Sequence, residues 1–247
     1  MRRAVAILLS TIALAACNMV ADAQEPPAGG GGPSVSRSFD LAGFDSVALA
    51  GAQNVIVTVG PAHSVRAEGD AEVIERLDIR VKDGTLRIGM KKGNWSSDWF
   101  RNREPVTIHV SAPALTGASI GGSGDMKIDR VEGGNFAASI GGSGDMKIGL
   151  LRVGEADFNV AGSGAIQAAG AAERSNVAIA GSGDVDGGDL ESRNASISIA
   201  GSGGVRLKAM QTADVSIIGS GDVVVTGPAR CSVSKMGSGD VRCETRS

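Results

Sequence analysis

Ala118-Ser119-Ile120-Gly121-Gly122-Ser123-Gly124-Asp125-Met126-Lys127-Ile128 is the stretch that decides the fold. Its centre, Gly-Ser-Gly, returns with its first Gly at 122, 142, 162, 181, 201, 219 and 237, at intervals of 20, 20, 19, 20, 18 and 18 residues. Self-similarity at that period is the mark of a solenoid, in which each repeat is one turn of a coil. Two positions before each first Gly stand Ile120, Ile140, Val160, Ile179, Ile199 and Ile217, then Lys235; four before stand Ala118, Ala138, Phe158, Val177, Ile197, Val215 and Val233. A period of two defines a strand with one buried face.

After the corner the rule continues. Met126, Met146, Ile166, Val185, Val205, Val223 and Val241 occupy plus four, and Ile128, Ile148, Ala168, Gly187, Leu207, Val225 and Cys243 occupy plus six. Between them Lys127, Lys147, Gln167, Asp186, Arg206, Val224 and Arg242 point outward. A weaker third inward column is expected at plus nine, in Val131, Leu151, Ala171, Leu190, Met210 and Pro228. The fold class is therefore all-β, a right-handed parallel β-solenoid of 18–20-residue coils over residues 113–247. Seven corners at a strand spacing of about 4.8 Å give a stack roughly 29 Å tall.

Five corners read Gly122-Ser123-Gly124-Asp125, Gly142-Ser143-Gly144-Asp145, Gly181-Ser182-Gly183-Asp184, Gly219-Ser220-Gly221-Asp222 and Gly237-Ser238-Gly239-Asp240; the other two replace the Asp with Ala165 and Gly204. A sharp bend in stacked backbones asks for glycine, which accepts positive φ and brings no Cβ. The Ser hydroxyls are expected to form a ladder reaching the next rung or nearby backbone. The Asp column superficially resembles a calcium-binding repeat, but the positions two residues after the third Gly are inward Met, Ile or Val. Those side chains cannot ligate calcium. Each Asp is read as bonding corner N–H groups, and no metal or other cofactor is expected.

Composition agrees. With 37 Gly, no Tyr, five Phe and two Trp among 247 residues, the interior must be built from small and aliphatic side chains. A formal net charge of -3, with Arg2 and Arg3 in a removable leader, excludes a basic nucleic-acid binder. Residues 1–16 read as a signal peptide, a basic head followed by an uncharged apolar run from Ala4 to Ala16. Leu14-Ala15-Ala16-Cys17 matches a lipobox, which makes Cys17 a lipidation site and the membrane a partner through its acyl chains. The competing site, Ala21-Asp22-Ala23, leads instead to a soluble periplasmic or secreted product. Residues 17–36, with Pro26, Pro27 and Gly29 to Gly32, read as a flexible tether.

Residues 37–112 read as a β-rich capping unit that covers the first coil. Ala71 to Leu77 is expected to be a short helix capped by Asp70, and Leu77–Val81 with Thr85–Met90 a hairpin around Lys82-Asp83-Gly84. Cys231 and Cys243 stand six before and six after Gly237, where an exported protein can oxidise them to a disulfide; two buried free thiols are the alternative. Trp95, Trp99, Phe100, Arg101 and Arg103 cluster in one loop without apolar periodicity, suited to stacking on sugar rings or gripping a protein. Folding back over the solenoid is the other reading of that loop.

The Gly-Ser-Gly-(Asp) corners, Phe44-Asp45-Ser46-Val47 leading to Gly51-Ala52-Gln53-Asn54-Val55, the Leu77-Asp78-Ile79 to Leu86-Arg87-Ile88 hairpin and the exported leader together resemble bacterial head GIN domain proteins over about residues 39–243. The resemblance implies a β-helical envelope protein of the autotransporter-adhesin head type, with no shared ligand or catalytic residue set. Two functions follow as expectations. The first is a non-enzymatic exported envelope protein, an outer-membrane lipoprotein, serving as an adhesin-like or envelope-interaction module toward an envelope or surface ligand, protein or glycan. The alternative is a carbohydrate-active β-helix enzyme, disfavoured because His63 and His109 stand alone and no nucleophile or metal motif occurs.

Overall fold

A computed structural model of the protein describes residues 34–93 and 106–244. The leader, Cys17 and the loop carrying Trp95, Trp99, Phe100, Arg101 and Arg103 lie outside the described residues. Stacked parallel coils form a β-solenoid of about six turns. Between one glycine corner and the next, the chain runs as a single bent strand: β9 (Met126–Gly142), β10 (Met146–Gly162), β11 (Ala165–Gly181), β12 (Asp184–Gly201) and β13 (Gly204–Gly219). Each pairs in parallel with the next, so that Met126 lies beside Met146, Ile128 beside Ile148 and Ile140 beside Val160. The chain ends in three shorter strands, β14 (Asp222–Thr226), β15 (Arg230–Gly237) and β16 (Val241–Glu244).

The inward columns before and after the corner are buried as the period-two pattern requires, from Ile120 and Met126 down to Ile217 and Val223. The third column departs from the fixed offset of nine. Val131, Leu151 and Leu190 are buried, but Ala171 and Pro228 are exposed and Met210 is half-buried. In these coils the inward position falls one residue earlier, on Gly170, Ala209 and Gly227. The reason is length: these are the coils of 19, 18 and 18 residues, and the missing residues displace every later position. A further buried column, Phe136, Ala156, Ser175, Ala195 and Ala213, lines the core six residues before each corner.

The stack begins before the first Gly-Ser-Gly. Strand β2 (Ser46–Gly51) lies parallel to β8 (Gly117–Gly122), and β3 (Asn54–Val59) lies parallel to the start of β9. Gly51-Ala52-Gln53 is thus a corner: Ser123 N and Gly124 N donate to the Gly51 carbonyl at 3.1 and 2.9 Å. Below it sits one more rung, made of β6 (Thr85–Met90) under β2 and β7 (Thr107–Ala112) under β3.

Antiparallel strands close that end. β5 (Leu77–Lys82) pairs with β6 across a turn in which Asp83 and Gly84 both have positive φ, 52° and 71°. β4 (Ser64–Asp70) pairs with β7, and β1 (Ser34–Phe39) pairs with β4. Helix α1 (Ala71–Glu75) starts at Asp70, whose Oδ1 accepts from Glu72 N and Val73 N at 2.9 and 3.3 Å, and it buries Val73 and Ile74. Strand β1 begins at Ser34, three residues inside the segment expected to be tether. Its residues are almost wholly exposed, so backbone pairing with β4, which composition does not reveal, places it there.

Candidate interaction faces

Every glycine corner is wired to the one below by backbone bonds. Ser143, Ser163, Ser182, Ser202, Ser220 and Ser238 each donate their amide to the first-Gly carbonyl of the preceding rung at 2.9–3.0 Å. The inter-rung bond expected of the Ser hydroxyl is made by the Ser amide, while the side chains face solvent. The Asp side chains add a second ladder. Oδ1 of Asp125, Asp145, Asp184 and Asp222 accepts the backbone N–H of Asp145, Ala165, Gly204 and Asp240 at 2.7–2.9 Å. Where the carboxylate is missing, the next amide turns to a carbonyl: Asp184 N donates to Gly164 O, and Asp222 N to Gly203 O, both at 3.2 Å. The Asp column is therefore a turn device whose acceptor has a backbone substitute. Among the described residues no group of three or more His, Cys, Asp or Glu is placed to hold a metal ion.

Three kinds of outer surface result. After the corner, Lys127, Lys147, Gln167 and Arg206 alternate with the Asp column, and Arg206 pairs with Asp186 at 3.1 Å. The third side carries ion pairs between neighbouring rungs, Arg152–Glu132 at 3.7 Å, Arg174–Glu155 at 3.3 Å, Arg193–Glu173 at 3.1 Å and Lys208–Glu191 at 2.9 Å. These pairs are exposed, and each contributes at most about 1 kcal/mol.

The side before the corner is different. Its outward columns three and one residues before the corner run Ala48, Ser119, Ser139, Asn159, Ala178, Ser198, Ser216, Ser234 and Ala50, Gly121, Gly141, Ala161, Ala180, Ala200, Ile218, Met236. Neither holds a charged residue, whereas the next outward column, five before the corner, carries Asp157 and Asp214. Part of this face, from Ala48 to Ser198, is a shallow depression of about 590 Å³. At its other end Ile218 and Met236 are 61% and 73% exposed.

The far end of the stack is closed differently from the near end. Cys231, in the column below Ala213, is joined to Cys243, below Val225, by a disulfide with Cα atoms 6.6 Å apart. Lys235 takes the place of the Ile column and donates from Nζ to the Gly239 carbonyl at 2.6 Å. Of the two histidines, His63 contacts the Phe44 carbonyl at 2.8 Å through Nε2 and meets the Phe44 ring edge-on, whereas His109 lies 3.9 Å from Glu68. Both belong to the capping end.

These features define a parallel β-solenoid repeat protein that offers flat exterior faces. A family profile described as "Putative auto-transporter adhesin, head GIN domain" matches residues 43–229, and the chain belongs to that family. Three solved structures share the fold. A putative adhesin from Bacteroides fragilis superposes with a TM-score of 0.78 at 22% identity, covering 85% of this chain and 97% of its own. A putative adhesin from Parabacteroides distasonis gives 0.70 at 18% identity, covering 86% and 97%. A protein from the same species described as a putative lipid binding protein gives 0.66 at 23%, covering 87% and 98%. No protein of curated function matches the sequence.

Proposed function

We propose that the protein is a non-enzymatic envelope module, exported and held at the outer membrane by acyl chains on Cys17, which uses its rigid outer faces and the Trp95–Arg103 loop to adhere to a protein or glycan. The observation that carries this reading is membership, over residues 43–229, of a family described as adhesin heads. The physical form supports it. Coils bonded rung to rung hold side chains in fixed rows, which suits multivalent contact with a surface, and the described side chains line up along faces instead of converging on a point. No helix among the described residues is long and apolar enough to cross a membrane. The hold on the envelope proposed here is the acyl chain on Cys17.

Surface labelling of whole cells, with wild type beside Cys17→Ser, tests the address. Membrane partition of wild type and its loss in the variant are expected; a variant that still partitions with membranes refutes the anchor. Binding of the purified protein to immobilised glycans and matrix proteins tests adhesion. Binding that weakens on Trp95→Ala with Trp99→Ala at unchanged melting temperature assigns the loop to contact. A melting temperature that falls with no change in binding assigns it to structure. Cleavage of a polysaccharide by the purified protein would overturn the non-enzymatic reading.

A further inference from the structure

The turns of the solenoid differ in length, and one of them overhangs its neighbours. The coil from Gly181 to Gly201 advances by 20 residues, and the two after it by 18 each. The surplus sits in one place. Gly187 lies beside Leu207 and Glu191 beside Lys208, so Gly188, Asp189 and Leu190 have no partner on β13. Leu190 is buried in the core, whereas Asp189 is exposed, and the bulge forms an outward ledge. Beneath it β13, β14 and β16 stay in register, with Lys208 beside Thr226 and Thr226 beside Glu244. The step between the long coil and the short ones is a groove of about 1050 Å³. From β12 to β16 it spans three rung steps, about 14 Å along the stack.

The groove is polar, and part of its wall is held in place. Asp186 Oδ1 accepts from Gly188 N at 3.1 Å, which ties down the ledge, and its Oδ2 accepts from Arg206 Nη1 at 3.1 Å. The absent side chain of Gly188 makes room for that arginine, since a Cβ there would lie 3.0 Å from Arg206 Cδ. Lys208 donates from Nζ to Glu191 Oε2 at 2.9 Å. The carboxylates of Asp189, on the ledge, and Glu244, on the last rung, differ: among the described residues neither has a hydrogen bond or ion pair. Between these ends lie the apolar surfaces of Val224, Met210 and Pro228.

We infer that this groove is a binding site for a neutral oligosaccharide, an inference that rests on the adhesive reading and gives it a place and a ligand class. Sugar hydroxyls both donate and accept. They can donate to the free carboxylates of Asp189 and Glu244 and accept from Arg206 and Lys208, while the C–H faces of the rings pack on Met210, Val224 and Pro228. Other ligands fit less well. Asp186, Asp189, Glu191 and Glu244 outnumber Arg206 and Lys208, and the balance stays negative even when Arg242 beside Val224 is counted, so sulfate, phosphate or uronate groups are repelled. A metal ion lacks its ligand cluster among the described residues. An extended peptide would need an open strand edge, but β14 in the floor is paired on both sides.

Surface plasmon resonance with the full chain carrying Cys17→Ser tests the inference on an immobilised panel. The panel holds neutral glucose, galactose and mannose oligomers, oligomers bearing carboxylate or sulfate groups, and oligolysine. Binding to a neutral oligomer, and not to the acidic ones or to oligolysine, is expected. Asp189→Ala removes a partnerless exposed carboxylate, so it should weaken that binding about tenfold at an unchanged melting temperature, and Asp189→Asn, which keeps an acceptor, should weaken it less. Arg206→Gln should also weaken it, and Lys147→Glu, outside the groove, should leave it unchanged. Should Arg206→Gln impair folding, the two Asp189 variants decide. Binding confined to acidic oligomers or oligolysine, no binding of any neutral oligomer, or neutral binding indifferent to Asp189→Ala and Arg206→Gln overturns the proposal. Adhesion to matrix proteins that persists in those variants would then leave the adhesive reading standing on another face, whereas a protein that binds no glycan and no matrix protein overturns both.

Discussion

Gly142 and Gly133 share a backbone conformation but not surroundings, and substituting each by alanine separates strain from stacking. Their φ angles are 149° and 151°, a region that L-residues rarely adopt. A Cβ on Gly133 meets nothing within 4 Å, so Gly133→Ala is charged only with backbone strain, about 1–3 kcal/mol. A Cβ on Gly142 would overlap the Gly122 carbonyl, the oxygen that accepts both Ser143 N at 2.9 Å and Gly144 N at 3.2 Å. Relieving that overlap pushes the rungs apart and weakens two bonds of about 0.5–1.5 kcal/mol each, on top of the same strain. Gly142→Ala should therefore be less stable than Gly133→Ala by about 1–3 kcal/mol. Urea unfolding followed by circular dichroism, with the two variants compared on the same slope, reads this as a difference in midpoint. Equal losses at the two sites would show that the corner glycines are required for conformation alone, and the argument from close approach would fail.

Asp145→Ala should cost only about 1 kcal/mol, because the Ala165 amide can turn to the Gly144 carbonyl as Asp184 N already does to Gly164; a shift in melting temperature of more than about 4 °C would contradict this. Reducing the Cys231–Cys243 disulfide, which closes a separation of 12 residues, should remove about 3 kcal/mol from the last coil, seen as faster amide exchange in β15 and β16 while β9 to β11 keep their protection. Ser175 and Ser192 are fully buried and bonded to each other at 2.6 Å, so either Ser→Ala change alone should destabilise by about 1–3 kcal/mol and the double change by less than the two singles together. Strict additivity in that double-mutant cycle would mean that the pair is not coupled.

How much of this was legible follows from what repeats and what does not. Columns two and four residues on either side of each Gly-Ser-Gly fix the strands, because burial on one face of a strand has a strict period. The same template applied to Gly51, with Val47 and Leu49 before it and Val55 and Val57 after, finds the corner that lacks the motif; the absent Ser-Gly hid it. The third column slipped to Ala171, Met210 and Pro228 because a fixed offset cannot follow coils that lose one or two residues mid-turn. Ser175 and Ser192 were silent, since partners seventeen residues apart are matched by the bend of the coil and not by any local pattern. The two uncharged columns beside the corners were written in the sequence mostly as plain Ala, Ser and Gly, residues that attract notice only when stacking collects them on one side. The Asp bonds were expected at the corner, but reaching up to the next rung is a property of the stack.

Because each corner bonds only to the rung before and the rung after, the coils behave as interchangeable units. Residues 118–128 and 138–148 are identical in sequence. A recombination event between the gene segments encoding them would excise or duplicate one whole turn and still leave every surviving corner with a partner of the right shape. The length of the stack can therefore change by inheritance in steps of about 4.8 Å, one turn at a time, without a new fold having to be found.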